Sequence, residues 1–579
     1  MQKRILSILL AIAIAIGIGF RLTELGHKLY WHDEVYTSLR AAGYRSVEIG
    51  NEIFTDRTFL PKELLKYQQL KPNSTLSDTF QSLASEDPQH PPLYYAIARY
   101  WMQIVGSDIA SMRLLAALLS LLGLPLMYGL AMELFGSPLV ALLAVAFLAL
   151  SPFDILFAQI ARQYSLLTVA AIGSSFCFLR AMRLNAGGTG QSWQSWGIYA
   201  IANAIGLYTH PFFSFTIVGH GVYSVVLSGW NAIANRNSQS ESLKPSSFLS
   251  FLKYSISVAV ALLLYSPWLM VLAGNYQRAL STTSWAGGEI SWPFVSRIWM
   301  LSFTALFLDL DVGFDNVWTY ILRLPILLLI LASLYVLYRH TRRETWLFVF
   351  TAIFVPFLIL VLPDIIMGGR RSAVSRYLIA CFPGIQLAIA YLLAKNLGIQ
   401  AAIPQFALRE ELREELREEP QEQAREKTEE EARDKVKNEA KFFGYHWFWR
   451  VTLALLFTCS IASSTVSALS NTWWSNVPSY FNAEMADQIN AMPQPVLLID
   501  DGEDGTNLGD LLSLSYRLQD KVKLQILSFA RTQKPPELSK TYSDWLVFRP
   551  SGKLRLYFRA KGQDLEVLSG AGGLWRVPK

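Results

Sequence analysis

Long apolar runs recur along the whole 579-residue chain, and they constrain its fold more than any other feature. About eleven runs approach or exceed the roughly 20 residues that a helix needs to cross a bilayer. They are 5–20, 110–131, 138–153, 164–182, 195–209, 212–230, 254–273, 318–338, 346–362, 377–394 and 447–468. Only 17% of the residues are charged, whereas soluble domains average about 25%. The sequence therefore predicts an α-helical polytopic membrane protein.

The first run has two interpretations. Lys3 and Arg4 precede it, and a positive start before an apolar stretch is typical of a signal peptide as well as of a retained helix. We favour a retained helix because the apolar run continues well past Ala11-Ile12-Ala13, which resembles a cleavage site.

Basic residues in the short loops predict the orientation. Lys and Arg collect on the cytoplasmic side of membrane proteins. With the N-terminus inside, the alternate loops that carry them contain Arg180, Arg183, Arg236, Lys244, Lys253, Arg339, Arg342 and Arg343. The outer loops are then 23–109, 154–163, 274–317 and 363–376, together with the tail from 471. We expect an integral protein of the plasma (inner) membrane.

Composition divides the chain into four predicted regions. They are a transmembrane module at 1–395 with the large outer loop 23–109, a charged cytoplasmic loop at 396–446, the last transmembrane helix at 447–470, and an extracytoplasmic soluble domain at 471–579. Within the charged loop, 406–441 is charged on nearly every face. This pattern favours a solvated helix with Glu–Arg pairs four residues apart over a coiled-coil partner site.

The tail contains short runs typical of strands. Those at 496–500, 522–527, 545–549, 554–559 and 565–568 alternate or are continuously apolar. With a helix predicted near 507–519, we expect a small α/β domain.

Two adjacent carboxylates, Asp33 and Glu34, follow the first run among the aromatic residues Tyr30, Trp31 and Tyr36. An interfacial helix start would account for them, because aromatic side chains prefer the membrane interface and Asp caps helices. The loop that contains them is far longer than a connector needs, and such loops are usually functional. Both interpretations stay open on these residues alone.

Several cationic or imidazole side chains fall on the same predicted side. His90 begins a predicted interfacial helix, whose N-terminus favours an anion, although a lone histidine is more often a hydrogen-bonded structural residue. Arg370, Arg371 and Arg376 oppose the positive-inside trend. Guanidinium groups match phosphate oxygens bidentately, but pairing with Asp364 or lipid headgroups would also explain them.

Arg162 and His210 complete this group at the outer ends of two predicted helices. If all these residues converge, they form a site for a lipid-linked phosphate beside a carboxylate that accepts a proton from an attacking hydroxyl. The sequence contains no P-loop, HExxH or G-x-S-x-G motif. This argues against an ATP-driven pump or a serine hydrolase.

The order of these motifs resembles the C-superfamily membrane glycosyltransferases. The resemblance is to the protein O-mannosyltransferase-like group (family 39) and the lipid A aminoarabinose transferases. After the acidic pair come HPPLYY at 90–95, QxxRxY at 159–164, YTH at 208–210 and RYL at 376–378. In sequence order the resemblance spans residues 1–395.

The resemblance implies transfer of a sugar from a polyprenyl-phosphate donor to an acceptor hydroxyl on a lipid, protein or glycan, with inversion and without nucleic acid. It implies Asp33 as the general base with Glu34 beside it. It also places Arg376 and Tyr377 near the donor phosphate. Together with the charges described above, this predicts donor-phosphate contacts by Arg371, Arg376, Arg370, Arg162 and His90, and a substrate cavity with Tyr94, Tyr95, Tyr164, His210 and Tyr377. We expect a dry cleft to raise the pKa of Asp33 towards that of a useful base.

Two departures from the family pattern limit these expectations. His90 stands where relatives often have a lysine, and Ile160 stands where they often have an acidic residue. No metal-ligand set stands out, no cofactor is implied with certainty, and dependence on a divalent metal stays open. A lipid-linked glycan ligase, a flippase or transporter, and a non-catalytic scaffold are the alternatives.

Overall fold

The computed structural model describes residues 2–186, 192–237, 246–288, 290–398, 424–502, 506–532, 544–569 and 572–578. The first half of the chain is helical apart from one short strand. Its helices are α1 (Gln2–Leu22), α2 (His32–Ala42), α3 (Ser46–Ile53), α4 (Pro61–Leu64), α5 (Leu76–Glu86), α6 (Leu93–Ile104), α7 (Ile109–Leu121), α8 (Gly123–Phe135), α9 (Pro138–Leu150), α10 (Pro152–Ala158), α11 (Tyr164–Ala186), α12 (Ser192–Thr209), α13 (Ser214–Asn237) and α14 (Ser246–Gly274).

The second half adds more helices and most of the sheet. The helices are α15 (Tyr276–Thr283), α16 (Trp292–Thr304), α17 (Trp318–Ile321), α18 (Leu324–His340), α19 (Arg343–Met367), α20 (Phe382–Asn396), α21 (Ala424–Leu469), α22 (Asn482–Ala491), α23 (Leu508–Ser515), α24 (Phe529–Thr532) and α25 (Gly552–Ala560). The strands are β1 (Thr58–Phe59), β2 (Pro495–Asp500), β3 (Lys523–Leu527), β4 (Asp544–Phe548), β5 (Glu566–Ser569) and β6 (Leu574–Arg576).

The predicted fold class, a polytopic helical membrane protein with a small sheet, is confirmed. In the described ranges, nine helices are long and apolar enough to cross a membrane, or ten if the bent pair α9–α10 is one span. The pair bends by 56° at Ser151-Pro152, because proline cannot donate the helical hydrogen bond. The count is below the predicted eleven partly because α12, which contains Gln194 and Asn203, is too polar to qualify.

The loop 23–109, which the sequence predicts to face outward and which is called the outer loop below, forms one sheet with the tail, in the strand order β1-β3-β2-β4-β6-β5. β1, from the loop after α1, pairs antiparallel with β3 through Thr58 and Gln525. β2 lies between β3 and β4, parallel to both, and is buried along its length. A strand that is buried on both faces shows a continuous apolar run in its sequence rather than alternation. The tail is therefore integrated with the first outer loop.

One predicted strand of the tail is wrong. Residues 554–559 lie in helix α25, which Ser551 caps by accepting the Leu554 N–H. Leu554 and Phe558 are buried four residues apart, which is helical spacing. In a six-residue run, an apolar pair at this spacing cannot be distinguished from strand alternation.

The predicted charged helix at 406–441 lies partly outside the described residues. Helix α21 begins at Ala424 and continues through the last candidate membrane span, His446–Leu469.

Candidate active site

A cavity of about 490 Å³ lies where six separate stretches of the chain meet Asn507 of the tail. Its lining includes His32, Asp33, Tyr36, Arg40, Asp87, His90, Tyr95, Arg162, Tyr164, His210, Phe212, Arg278, Trp285, Arg376, Tyr377 and Asn507. Eight residues that the sequence predicts for a common site are thus brought together: Asp33, His90, Tyr95, Arg162, Tyr164, His210, Arg376 and Tyr377.

Helix α2 forms one wall of this cavity. Its first turn is fixed by Glu34, whose Oε2 accepts the Trp31 N–H at 2.9 Å. Asp33 lies in that turn, where the helix dipole stabilises a carboxylate. Tyr36 and Arg40 lie three and seven residues further on and share its face. The wall therefore extends about 10 Å from Asp33 to Arg40 at 1.5 Å per residue.

Asp33 is held near positive charge without being closely paired. Its Oδ2 lies 3.8 Å from Nη2 of Arg376 and accepts a hydrogen bond from the Tyr164 hydroxyl at 3.4 Å. Burial alone would raise the pKa of Asp33, but Arg376 and Arg162 outweigh it and lower this pKa below its ordinary value. The expectation of a raised pKa for Asp33 is wrong, because it took account of desolvation but not of the two guanidinium groups.

Arg162 is buried and bridges the walls of the cavity. Its Nη1 donates to the Asp33 carbonyl at 3.3 Å and to the Tyr95 hydroxyl at 3.1 Å. Its Nη2 donates to Nε2 of His90 at 3.3 Å. Although burial lowers the pKa of Arg162, Tyr95, Tyr164 and Asp33 raise it above its ordinary value. Arg162 is therefore a fixed positive charge.

His90 is neutral and holds Arg162 in place. Burial, reinforced by Arg162, lowers the pKa of His90 to about 3. A neutral imidazole has one acceptor nitrogen, and Arg162 can only donate, so Nε2 accepts and Nδ1 carries the proton. Nδ1 lies 3.1 Å from Nε2 of Gln163, and two donors cannot pair. The Gln163 amide is therefore turned so that its oxygen, which otherwise has no partner among the described residues, accepts from Nδ1. His90 thus supplies no positive charge to a phosphate.

Arg376 is surrounded by aromatic rings. Its guanidinium carbon lies 5.1, 5.8 and 5.6 Å from the ring centres of Trp31, Trp285 and Tyr377. Its Nε is buried without a hydrogen-bond partner among the described residues. Cation–π contacts orient a guanidinium and leave its N–H groups available. Arg376 is therefore positioned to bind an anion in the cavity.

Four predicted site residues lie outside this cavity. Glu34 is buried against Arg113 at 2.7 Å and accepts the Ala161 N–H at 2.7 Å. Arg371 pairs with Asp364 at 3.0 Å, the alternative that the sequence left open. Arg370 donates to the Trp285 carbonyl at 3.0 Å. Tyr94 is buried in the apolar core that joins the outer loop to the tail.

The cavity also contains residues that the sequence analysis missed. Asp87 pairs with Arg40 at 2.7 Å, and despite burial Arg40 lowers the pKa of Asp87 to about 2. Its place three residues before His90 was an available signal. Asn507, from the tail, accepts a hydrogen bond from the Tyr36 hydroxyl at 3.0 Å. No sequence pattern marks Asn507, because the packing of the tail brings it here.

Metal ligands do not cluster in the described part of the chain. No group of three or more His, Cys, Asp or Glu side chains there is arranged to hold a metal ion.

The chain is similar to several solved structures at low sequence identity. The chain is similar to ArnT from Cupriavidus metallidurans bound to undecaprenyl phosphate, with 14% identity, a TM-score of 0.48, and coverage of 98% of this chain and 97% of that one. The archaeal oligosaccharyltransferase AglB from Archaeoglobus fulgidus matches with 12% identity, a TM-score of 0.45, and coverage of 90% and 64%. The protein O-mannosyltransferase complex Pmt1-Pmt2 of S. cerevisiae matches with 16% identity, a TM-score of 0.28, and coverage of 47% and 34%.

No curated protein sequence matches the chain significantly. The sequence model of one family, described as dolichyl-phosphate-mannose-protein mannosyltransferase, matches residues 89–271. This segment contains His90, Arg162 and His210 of the cavity, whereas Asp33 and Arg376 lie outside it. The resemblance to protein O-mannosyltransferase-like membrane glycosyltransferases that the sequence predicts is thereby confirmed over residues 89–271.

Proposed function

We propose that the protein is an integral-membrane glycosyltransferase that moves a sugar from a polyprenyl-phosphate donor to an acceptor hydroxyl on a lipid, protein or glycan. The observation that carries this proposal is the approach of Asp33 to Arg376, at 3.8 Å, in a cavity of about 490 Å³. A proton acceptor and an anion-binding group are the two elements that such a transfer needs. The family match at residues 89–271 supports the reaction class.

The donor phosphate binds at Arg376 and Arg162. Within the described ranges the buried Nε of Arg376 has no hydrogen-bond partner, and aromatic rings hold its guanidinium. Arg162 adds a second positive charge near Asp33. Two guanidinium groups next to one carboxylate leave a net positive charge that favours a phosphate. When the sugar leaves, these groups stabilise the charge that builds on the phosphate.

Asp33 is the general base. Its lowered pKa keeps it ionised at neutral pH, so that it is ready to accept the proton of the acceptor hydroxyl. The same lowered pKa makes it a weak base until the donor binds. A phosphate on Arg376 adds negative charge beside Asp33, and nearby like charge raises a carboxyl pKa. Donor binding therefore strengthens the base when the sugar is in place.

The remaining cavity residues orient the substrates. Tyr95, Tyr164, His210 and Tyr377 form the walls, and His90 positions Arg162. Glu34, Arg370, Arg371 and Tyr94 support this geometry from outside. Attack by the hydroxyl opposite the phosphate is a single displacement and inverts the anomeric carbon, as in other single-displacement reactions at a sugar.

The cavity is assigned to the extracytoplasmic side. Helix α19 begins at Arg343, next to the basic Arg339 and Arg342, and ends at Met367, a few residues before Arg376. Since basic loops mark the cytoplasmic side, the other end of α19 faces outward. Polyprenyl-linked sugars suit this position because their apolar chains lie in the bilayer beside the cavity.

The Asp33→Asn variant tests the proposal. Purified protein in liposomes is given polyprenyl-phosphate-linked sugars and a membrane acceptor fraction, and label transfer is measured. We expect the variant to lose about 100- to 10,000-fold in rate, which is the range of general base catalysis, with donor binding retained. Asp315→Asn, at an exposed aspartate remote from the cavity lining, is the matched control.

Near-wild-type transfer by Asp33→Asn would contradict the base assignment. Transfer from diphosphate-linked glycans and not from monophosphate-linked sugars would instead indicate a ligase.

A further inference from the structure

A second cavity, of about 510 Å³, lies at the opposite end of helix α19 from the candidate active site. Its lining consists of Trp230 and Ile233 of α13, Tyr338 and Arg339 of α18, and Arg343 and Trp346 of α19. Helix α19 has 25 residues and spans about 37 Å at 1.5 Å per residue, enough to cross the hydrocarbon core. The second cavity therefore lies at the other membrane interface.

Two guanidinium groups and three aromatic rings define this cavity. The guanidinium carbon of Arg343 lies 5.1 Å from the ring centre of Trp230. Trp230 packs against Trp346 at 5.6 Å, and Trp346 packs against Tyr338 at 5.0 Å. Aromatic contacts of this kind fix the orientation of an arginine while leaving its N–H groups free.

The charge of the cavity is positive. Among the described residues, neither Arg339 nor Arg343 has a carboxylate within ion-pair distance, and no Asp or Glu lines the cavity. The neighbouring Glu344 lines a separate cavity together with Arg342. Two basic groups at a membrane interface that have no counter-charge among the described residues favour an anionic ligand.

An apolar surface continues from this cavity into the membrane. Leu328, Leu331, Tyr335 and Tyr338 are each at least half exposed. Their spacing of three, four and three residues places them on one face of α18. A bound molecule with a charged head at the arginines would lay a hydrocarbon chain along this face. A soluble anion would make no use of it.

We propose that this cavity binds the phosphate headgroup of an anionic phospholipid from the cytoplasmic leaflet. Arg339 and Arg343 contact the phosphate, and the exposed face of α18 takes an acyl chain. Trp230 holds Arg343 and is itself packed against Trp346. This site is separate from the proposed donor site and does not depend on catalysis.

Native mass spectrometry of the full chain tests the site. The protein is released from detergent after incubation with phosphatidylglycerol or with phosphatidylcholine of the same acyl chains. We expect wild-type protein to retain one more phosphatidylglycerol molecule than the Arg339→Ala/Arg343→Ala variant. The affinity of the variant for this lipid should be about 30-fold lower, or about fivefold lower for each arginine removed. The control is Arg297→Ala, because Arg297 is exposed and stacks on Tyr320 at 5.4 Å on the active-site face.

Three results would overturn the proposal: equal retention of the two lipids, equal loss in the Arg297→Ala control, or displacement of phosphatidylglycerol by inorganic phosphate. The last result would identify a soluble-anion site. If the double alanine variant does not fold, Arg339→Lys/Arg343→Lys replaces it. Lysine keeps the charge but not the bidentate geometry, so we expect the preference for phosphatidylglycerol to persist at lower affinity. Complete loss of this preference, or an unchanged affinity, would contradict the arginine contacts.

Discussion

Adjacent carboxylates in the first turn of α2 have opposite environments. Glu34 is 0% exposed and its partner Arg113 is 3% exposed, with 2.7 Å between the charged atoms. Asp33 is 19% exposed and Arg376 is 13% exposed, with 3.8 Å between them. Both pairs join the outer loop to another part of the chain. Asp33 and Arg376 line the candidate active-site cavity, whereas Glu34 and Arg113 do not.

The difference lies in how many hydrogen bonds each carboxylate already has. Glu34 accepts hydrogen bonds from Nε and Nη2 of Arg113, from the Trp31 N–H and from the Ala161 N–H. These four bonds fill the lone pairs of its carboxylate. A buried ion pair stabilises a fold when its remaining hydrogen bonds are satisfied. Asp33 has a long ion pair and a long hydrogen bond from Tyr164. A loosely held pair can exchange its partner for substrate.

The largest expected effect is on stability, at Glu34. The Glu34→Ala variant leaves Arg113 as a buried uncompensated charge, and we expect a loss of about 3–5 kcal/mol in the free energy of unfolding. Thermal unfolding of the purified protein, followed by size-exclusion chromatography, measures it. Removing both partners in Glu34→Ala/Arg113→Ala should restore part of the loss.

Asp33→Asn is the matched comparison for Glu34→Ala, since it changes the neighbouring carboxylate. We expect its unfolding temperature to stay near that of the wild type. If the two variants unfold at the same temperature, the distinction between a structural pair and a functional pair fails.

A smaller effect, on rate and its pH dependence, is expected at Arg376. Loss of a preorganised anion-binding group costs about 100- to 1000-fold in rate. Arg376 also lowers the pKa of Asp33, and activity needs ionised Asp33. In the wild type, kcat/KM should therefore fall only below the ordinary pKa of 3.8. In Arg376→Ala that limb should move to higher pH, because the guanidinium that lowers the pKa of Asp33 is gone.

The pH profile separates this role from a general loss of structure. Arg297→Ala, which removes an exposed arginine stacked on Tyr320, should keep both the rate and the profile. A lower rate in Arg376→Ala with an unmoved acid limb would show that Arg376 does not act on Asp33.

The sequence predicted those parts of the fold that depend on local composition. Runs of about 20 apolar residues identify membrane helices because length and apolarity are the physical requirements. β1 could not be predicted, because Thr58 and Phe59 are too few to show alternation and become a strand only by pairing with β3. The helix at 554–559 was missed for a similar reason, since its run is short.

The site was partly predictable because its motifs carry unusual residue types. Asp33, Arg162 and Arg376 stand out as charges at the outer ends of apolar runs. Glu34 and Arg371 stand out equally in the sequence. Only the structure shows that they form ion pairs with Arg113 and Asp364 outside the cavity. The pKa of Asp33 likewise depends on distances to groups far along the chain.

The smallest expected effect is at His90. Its role is intermediate between those of the structural pair and the functional pair, because it lines the cavity but acts by positioning Arg162. His90→Ala removes the Nε2 acceptor of the charged Arg162, and such a hydrogen bond contributes about 1.5–3 kcal/mol. Because Arg162 can relax onto its other partners, we expect kcat/KM to fall by only about tenfold. His90→Gln offers an amide oxygen to Arg162 and should recover part of that loss. Because burial lowers the pKa of His90 to about 3, wild-type activity should show no transition from this residue between pH 5 and 8. A transition in that range that disappears in His90→Gln would mean that His90 carries a charge during the reaction.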